Sequence, residues 1–209
     1  MKLKATDTDE RDGRFLLDAY SVITYPQTSD APKWFVSFGS LLWYIRDRNQ
    51  GKRLEGDLDV SLFEPVNARQ LIGIANEFRF KLLGQIINDV TGAPFQIVLK
   101  HETGRVLDLY FWHETKKYYW HTYDFYNRGK KIPSEYVFKA TPKRDMDGDV
   151  WKYLVCDRIP EFHFPHKYGA LLDIWYPGWY VPDSRFGQSH AAKTVEIKSC
   201  KKIGKLDEC

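Results

Sequence analysis

The chain has 209 residues, of which 43% are apolar and 28% charged, a composition typical of a folded domain with a hydrophobic core. This balance excludes disordered and collagen-like chains, and no apolar run approaches the roughly eighteen residues of a membrane-spanning helix. The net charge of +3 gives little support to a nucleic-acid partner. Three cysteines are too few for a disulfide framework, and the charged N-terminus lacks the apolar stretch of a secretory signal. We therefore expect a cytoplasmic protein, with attachment to a membrane surface as the alternative.

Apolar periodicity predicts the order of helices and strands in the first half of the chain. Residues 1–13 are polar and are expected to fray, whereas Phe15, Ala19 and Val22 recur at helical spacing. A short buried strand is then interrupted by a Gly-Ser pair, and a strand with alternating polar and apolar residues follows. The expected helices cover 15–23, 41–49 and a segment from Pro65 to Leu82, and the expected strands cover 34–38, 54–63, 95–100 and 105–112, the last two joined as a hairpin.

The alternating strand over 54–63 carries two carboxylates. Asp57 and Asp59 are two residues apart, so their side chains leave the same face of the strand a few ångströms from each other. Such a pair is most often a solvated surface, but two bare carboxylates this close repel each other unless a cation lies between them. A hard divalent cation such as Mg²⁺ or Mn²⁺, shared with a substrate's phosphates, meets that need.

The Gly39–Ser40 turn precedes an expected helix. Backbone N–H groups at a helix start, together with the Ser40 hydroxyl, favour binding of a phosphate group. Arg46, six residues further on, is placed to reach a phosphate or an acidic partner. Asp108 lies in the middle of an otherwise apolar strand, on the face of Val106 and Tyr110. If that strand neighbours the one with Asp57, the site has three carboxylates.

This order of features resembles the nucleotidyltransferase superfamily and, within it, the LicD/fukutin family of phosphotransferases. The resemblance covers about residues 15–182. It rests on three segments. The first is Phe38–Leu42, which Arg46 follows four residues later, and the second is Glu55–Val60. The third is Val106–Phe111, which is similar to the family's strand with a single Asp. Near the C-terminus, the Tyr-, Gly- and Trp-rich stretch Tyr168–Pro182 is similar to a further family segment.

The resemblance implies an α/β (α+β) fold with a nucleotidyltransferase-like core, a small mixed sheet with helices packed on one face, and an aromatic C-terminal segment. The whole chain would be one domain, with the core at about 15–112, an acceptor-side segment at 113–182 and a basic tail at 183–209. It also implies a Mg²⁺-dependent transferase. Such an enzyme moves a phosphorylated small alcohol from a CDP-activated donor to a hydroxyl of a glycan or glycolipid.

The resemblance also implies a role for each candidate residue. Asp57 and Asp59 would hold the metal ion on the donor diphosphate, and Asp108 would complete that site or accept the proton of the acceptor hydroxyl. Gly39, Ser40 and Arg46 would hold phosphate oxygens. Two alternatives stay open: a nucleotidyltransferase that moves NMP from an NTP to a protein, RNA or small molecule, and a degenerate member that binds a nucleotide without catalysis.

Other residue groups have weaker signals. Cys156, His163 and His166 suggest a zinc site, but their spacing is that of no common zinc module. One of the histidines His101, His113 and His121 is a candidate for contact with a phosphate or the acceptor. The aromatic group at Trp175, Trp179 and Tyr180 is either a glycan platform or a cap over the core.

Overall fold

Ten strands and four α-helices are found in the part of the chain that the structure describes. The computed structural model describes residues 7–25, 34–47, 56–63, 67–87, 94–114, 118–123, 137–142, 150–153, 162–176 and 178–181. The helices are α1 (Asp7–Thr24), α2 (Phe38–Leu42), α3 (Ala68–Glu77) and α4 (Tyr168–Trp175), and a single π-helical turn, Trp43–Asp47, follows α2. The strands are β1 (Trp34–Val36), β2 (Asp57–Leu62), β3 (Phe80–Ile87), β4 (Pro94–His101), β5 (Val106–Phe111), β6 (His113–Glu114), β7 (Tyr118–Tyr123), β8 (Val137–Pro142), β9 (Val150–Tyr153) and β10 (Phe162–Pro165).

The central sheet has five strands in the order β1-β2-β5-β4-β3. Its strands pair antiparallel except for β2 and β5, which run parallel at the centre. The expected hairpin between residues 95–100 and 105–112 is present as β4 and β5. Two smaller sheets, β6-β7-β8 and β9-β10, complete the described strands. The expected small mixed sheet is confirmed.

One face of the central sheet is covered by α1. Leu58, Val60, Leu107 and Leu109 project from this face and are buried. A fully buried parallel pair of strands needs cover on both of its sides, because its backbone and apolar side chains cannot remain in water. Helix α1 supplies one cover through an apolar stripe of which Phe15, Ala19, Val22 and Ile23 are almost completely buried.

The second face is covered in part by α2 and α4 through an aromatic cluster. Phe38 contacts Tyr110 and Trp175, with ring centroids 4.8 and 4.5 Å apart, and Trp112 lies within 6.4 Å of Trp175. Tyr110 projects from the same face as Asp108, since the two residues are two apart on β5. The expectation of helices on one face only is therefore wrong: helices pack against both faces because the central parallel pair must be covered twice.

An ionic cluster with two buried members, Asp18 and His101, ties α1 to the far half of the sheet. His101, at the end of β4, donates from Nε2 to Asp18 Oδ2 at 2.8 Å. The Thr103 amide donates to His101 Nδ1, which assigns the ring proton to Nε2. Arg79 donates to both carboxylate oxygens of Asp18, at 2.6 and 2.8 Å. His101, proposed as a possible phosphate contact, is thus a buried structural residue between the rings of Phe15 and Phe80.

Three expected boundaries differ from the structure. Helix α1 starts at Asp7, so residues 7–13 are helical where fraying was expected. The helix expected over 41–49 begins at Phe38 and is replaced at Trp43 by the π-helical turn. The helix expected to reach Leu82 ends at Glu77, because Arg79 adopts a left-handed φ of 64° and the chain reverses into β3.

Among the described residues, none of the helices combines the length and the apolar composition that a membrane span requires.

The ionic cluster provides a stability test. Asp18→Ala leaves the buried Nε2–H of His101 without its acceptor and removes the partner of Arg79, so we expect the free energy of unfolding to fall by about 2–3 kcal/mol. Asp12→Ala, on the same helix, removes a partly exposed pair with Arg105 that involves no buried group, and should cost about 1 kcal/mol or less. Equal losses in urea titrations of the two variants would contradict a structural role for the ionic cluster.

Candidate metal centre

The parallel pairing of β2 and β5 brings three carboxylates together. Asp59 lies directly opposite Asp108 in the register of the two strands, and Asp57 lies one pleat earlier on the same face. One oxygen from each of Asp57, Asp59 and Asp108 lies within 4.8 Å of the other two. The condition set by the sequence, that the Asp108 strand neighbours the Asp57 strand, is therefore met. Three oxygens at this separation are a donor set suited to a hard divalent cation.

The three carboxylates differ in their exposure to solvent. Asp57 is exposed, Asp108 is intermediate and Asp59 is buried, with 6% of its surface accessible. The cluster therefore runs from the protein surface into the interior. A ligand can approach Asp57 and Asp108 from solvent, while Asp59 forms the floor of the site.

Burial and mutual repulsion change the protonation of the two inner groups. Burial, followed by the charges of Asp57 and Asp108, raises the pKa of Asp59 well above its ordinary value, although hydrogen bonds from Ser40 oppose the rise. Burial, followed by the charge of Asp57, raises the pKa of Asp108 to about 6, and a hydrogen bond from Gln96 opposes it. A bound divalent cation would offset both causes, because it supplies the opposite charge that the cluster lacks.

Ser40 binds the strand that carries the carboxylates. Its hydroxyl accepts a hydrogen bond from the Asp59 amide at 2.8 Å, and its own amide lies 3.2 Å from Asp59 Oδ2. A further bond joins the Ser37 amide to the Asp59 carbonyl at 2.9 Å. In this structure the Ser40 groups expected to hold a phosphate are directed at Asp59. They fix the position of a candidate metal ligand, which makes Ser40 a positioning residue.

The turn before Ser40 is held close to Asp59. A Cβ atom at Gly39 would lie 3.2 Å from Asp59 Oδ2, closer than side-chain atoms normally approach, so glycine permits this contact. Phe38 adopts a φ of 45°, which is strained for a residue with a large side chain. Its ring is buried against Tyr110 and Trp175, and this packing holds the strained backbone in place.

Arg46 lies in the π-helical turn after α2. Its Nη1 donates to the carbonyl of Trp179 at 3.1 Å, and the Trp179 ring nitrogen in turn donates to Asp173 at 3.0 Å. Arg46 therefore anchors the C-terminal turn in this structure. Of the aromatic group considered as a glycan platform, Trp175 is a core residue, whereas 69% of the Tyr180 surface is exposed.

Two residues that sequence reasoning left without a role touch the carboxylates. The hydroxyl of Tyr110 donates to Asp59 Oδ1 at 3.4 Å, and the side-chain amide of Gln96 donates to Asp108 Oδ1 at 3.5 Å. Period-two alternation places Tyr110 on the face of Asp108, so the sequence pattern indicates that Tyr110 lies on the same side of the sheet as the carboxylates. The Gln96 contact depends on the β4–β5 register, which pairs Gln96 with Tyr110.

The other candidate residues fall into two groups. His163 is buried and stacks on Trp34 with ring centroids 4.3 Å apart, and His166 is exposed. Cys156 and the side chains of His113 and His121 lie outside the described residues, as does the basic tail. The zinc site therefore stays a prediction.

Comparison with models of protein families and with curated proteins finds no match to this chain. The resemblance to the LicD/fukutin family thus depends on the residues of this sequence alone.

The raised pKa of Asp108 predicts a pH dependence of stability without divalent cations. Because the folded-state pKa, about 6, exceeds the ordinary value of about 3.9, the folded protein binds more protons between these limits. The contribution of Asp108 to the stability of the folded state is thus fully present below pH ~4 and is lost as the pH rises through ~6. In the presence of a chelator, the thermal stability of Asp108→Asn relative to the wild type should increase over this pH interval, and the difference should then reach a plateau. A difference in melting temperature that stays constant with pH would contradict the raised pKa. Glu77→Gln, which removes an exposed carboxylate from α3, serves as the control.

The role of Ser40 predicts a loss of stability on removal of its hydroxyl. Ser40→Ala leaves the buried Asp59 amide without its 2.8 Å acceptor, so we expect the free energy of unfolding to fall by about 2 kcal/mol. Ser21→Ala removes a hydroxyl that binds a backbone carbonyl on the surface of α1 and should cost about 0.5 kcal/mol or less. Indistinguishable urea midpoints for the two variants would contradict the positioning role.

Proposed function

We propose that the protein is a divalent-metal-dependent phosphotransferase that moves a phosphorylated small alcohol from a CDP-activated donor to a hydroxyl acceptor on a glycan or glycolipid. The observation that supports this most directly is the clustering of the Asp57, Asp59 and Asp108 oxygens within 4.8 Å. Carboxylates that are this close together and partly buried repel one another, and a bound cation compensates for that repulsion. The motif resemblance then selects transfer of a phosphoryl-containing group among the reactions of metal-binding carboxylates.

Asp57, Asp59 and Asp108 fit a hard cation, because all three are oxygen donors and the outermost of them is open to solvent. Mg²⁺ or Mn²⁺ bound there would neutralise charge on the phosphate oxygens of the donor. The protein's own contribution is to hold the ligand oxygens in place. Ser40 and Tyr110 each contact one of the two oxygens of Asp59, and Gln96 contacts one oxygen of Asp108.

In the reaction, the oxygen of the acceptor hydroxyl attacks the phosphorus atom of the alcohol phosphate. The bond from that phosphorus to the oxygen bridging it to CMP breaks, and CMP leaves with the electron pair. The hydroxyl proton passes to a carboxylate. Asp108 is suited to this role because its intermediate exposure lets an acceptor hydroxyl approach its carboxylate beside the metal centre.

The proposal predicts loss of turnover in carboxylate variants that keep the fold. Asp57→Asn and Asp59→Asn should each lower kcat by at least about a hundredfold, since each removes a charged ligand. Neither should unfold the protein, because removing one like charge relieves repulsion in the cluster. The assay follows CMP release from CDP-choline and CDP-ribitol, with Mg²⁺ or with chelator, in the presence of a hydroxyl-bearing glycan. Glu77→Gln, which removes an exposed carboxylate from α3, is the control with unchanged activity.

The products discriminate between the candidate functions. Release of pyrophosphate from CTP, ATP or UTP, with no CMP release from CDP-alcohols, would identify a nucleotidyltransferase. Mg²⁺-dependent nucleotide binding without any turnover would identify a degenerate member. Full activity in either Asp variant would reject the metal centre itself.

A further inference from the structure

The face of the sheet that carries the three aspartates continues as an open surface across β4 and β3. In the register of the four strands, one row across this face runs from Asp57 through Val106 and Lys100 to Lys81. Asp57, Lys100 and Lys81 are exposed and Val106 is intermediate. Unlike the part of the face near Phe38, this part is therefore accessible beside the metal centre.

The two lysines face each other directly. Lys81 and Lys100 are cross-strand partners, so their side chains leave the same face, and like charges directly opposite destabilise a sheet. Their neighbours in sequence, Phe80 and His101, contact each other on the opposite, buried face, which agrees with this orientation. Within the described part of the chain, no acidic side chain forms an ion pair with either lysine. An anion between them would turn the repulsion into attraction.

Protection of a sheet edge explains only one of these lysines. Lysines on edge strands prevent unwanted pairing with other chains, and β3 is the last strand of the five. Lys100 lies on β4, which is paired on both sides by β5 and β3. An exposed lysine there has no edge to protect, which favours a binding role for the pair.

The surface between the carboxylates and the lysines has short side chains. Val106 and Val98 are intermediate in exposure, and Val98 is the cross-strand partner of both Asp108 and Gly84. A Cβ atom added to Gly84 would meet nothing within 4 Å, so the space next to Gly84 is open. Neighbouring strands lie about 4.8 Å apart, which puts the backbone of Lys100 about 10 Å from β2.

We propose that this surface binds the acceptor along its length, and that the acceptor carries an anionic phosphoryl group of its own, a second one beside the donor phosphate, bound by Lys81 and Lys100. The inference rests on the proposed function, since the first phosphate would lie at the metal centre. The ligand spans about two strand spacings over the Val98 and Val106 floor. The second phosphoryl group belongs to a phosphorylated acceptor, because the two phosphates of a CDP-activated donor share one bridging oxygen and cannot extend from the metal centre across two strand spacings.

The test compares the Lys81→Gln/Lys100→Gln double variant with the wild type by calorimetric titration. Two charged contacts of about 0.5–1 kcal/mol each correspond to an affinity about five- to thirtyfold weaker. The donor arm uses CTP and CDP-choline with Mg²⁺, and the acceptor arm uses glucose 6-phosphate against glucose. Arg69→Gln, which removes an exposed positive charge from α3, is the matched control, and Lys81→Arg/Lys100→Arg should restore binding.

The outcomes separate the two proposals. Weaker binding of glucose 6-phosphate alone in the Gln double variant would support the acceptor subsite, and weaker binding of CTP or CDP-choline would overturn it by assigning the lysines to the donor. Unchanged affinities for all these probes, or no binding of any of them to the wild type, would overturn the lysine subsite. Titration of Mg²⁺ alone tests the metal centre independently: the Gln double variant should bind it like the wild type, and Asp59→Asn should not. If the wild type does not bind Mg²⁺, the proposed function is rejected, whereas the measured binding of phosphate by the lysines is unaffected.

Discussion

Mutual repulsion of three carboxylates is the constraint on which the rest of this structure depends. Asp57, Asp59 and Asp108 are held with oxygens within 4.8 Å of one another, and Asp59 is almost completely removed from water. Separated strands would relieve this repulsion, so the fold must hold β2 and β5 together by other means. The backbone ladder of the parallel pair and the apolar side chains on its opposite face supply that stabilisation. Hydrogen bonds from Ser40 act directly on the most buried of the three groups.

The aromatic cluster around Phe38 supports the position of Ser40 beside the carboxylates. Ser40 reaches Asp59 only because the chain turns sharply at Phe38 and Gly39, with a strained backbone at the first and a close contact at the second. The Phe38 ring is held by Tyr110 and Trp175, so burial of aromatic surface offsets the strain of the turn. The aromatic rings around Phe38 therefore support the site.

The sequence predicted the central features where local pattern determines them. The alternation in β2 gives the shared face of Asp57 and Asp59, and the position of Asp108 in β5 gives its face. The pairing of β2 with β5 could not be predicted, because register between distant strands depends on tertiary packing. The end of α3 was missed because Arg79 takes a conformation usually reserved for glycine. The contact of Ser40 with Asp59 could not be predicted, because a Gly-Ser turn has the same local pattern whether its donors face a ligand or a carboxylate.

The topology of the sheet sets the order in which the site can be assembled. Strands β3, β4 and β5 are joined by neighbouring hairpins, whereas β2 reaches β5 only across a connection that contains both of those hairpin strands and α3. Contacts between sequence neighbours form early in folding, and pairing across a long connection comes late. The lysine-bearing strands and Asp108 therefore belong to one set of sequence-neighbouring strands, to which β2 is joined by a long-range pairing. Detachment of β2 and β1 from that set would separate the carboxylates while the two hairpins stay paired, so the charge cluster favours partial opening of the sheet at this one seam.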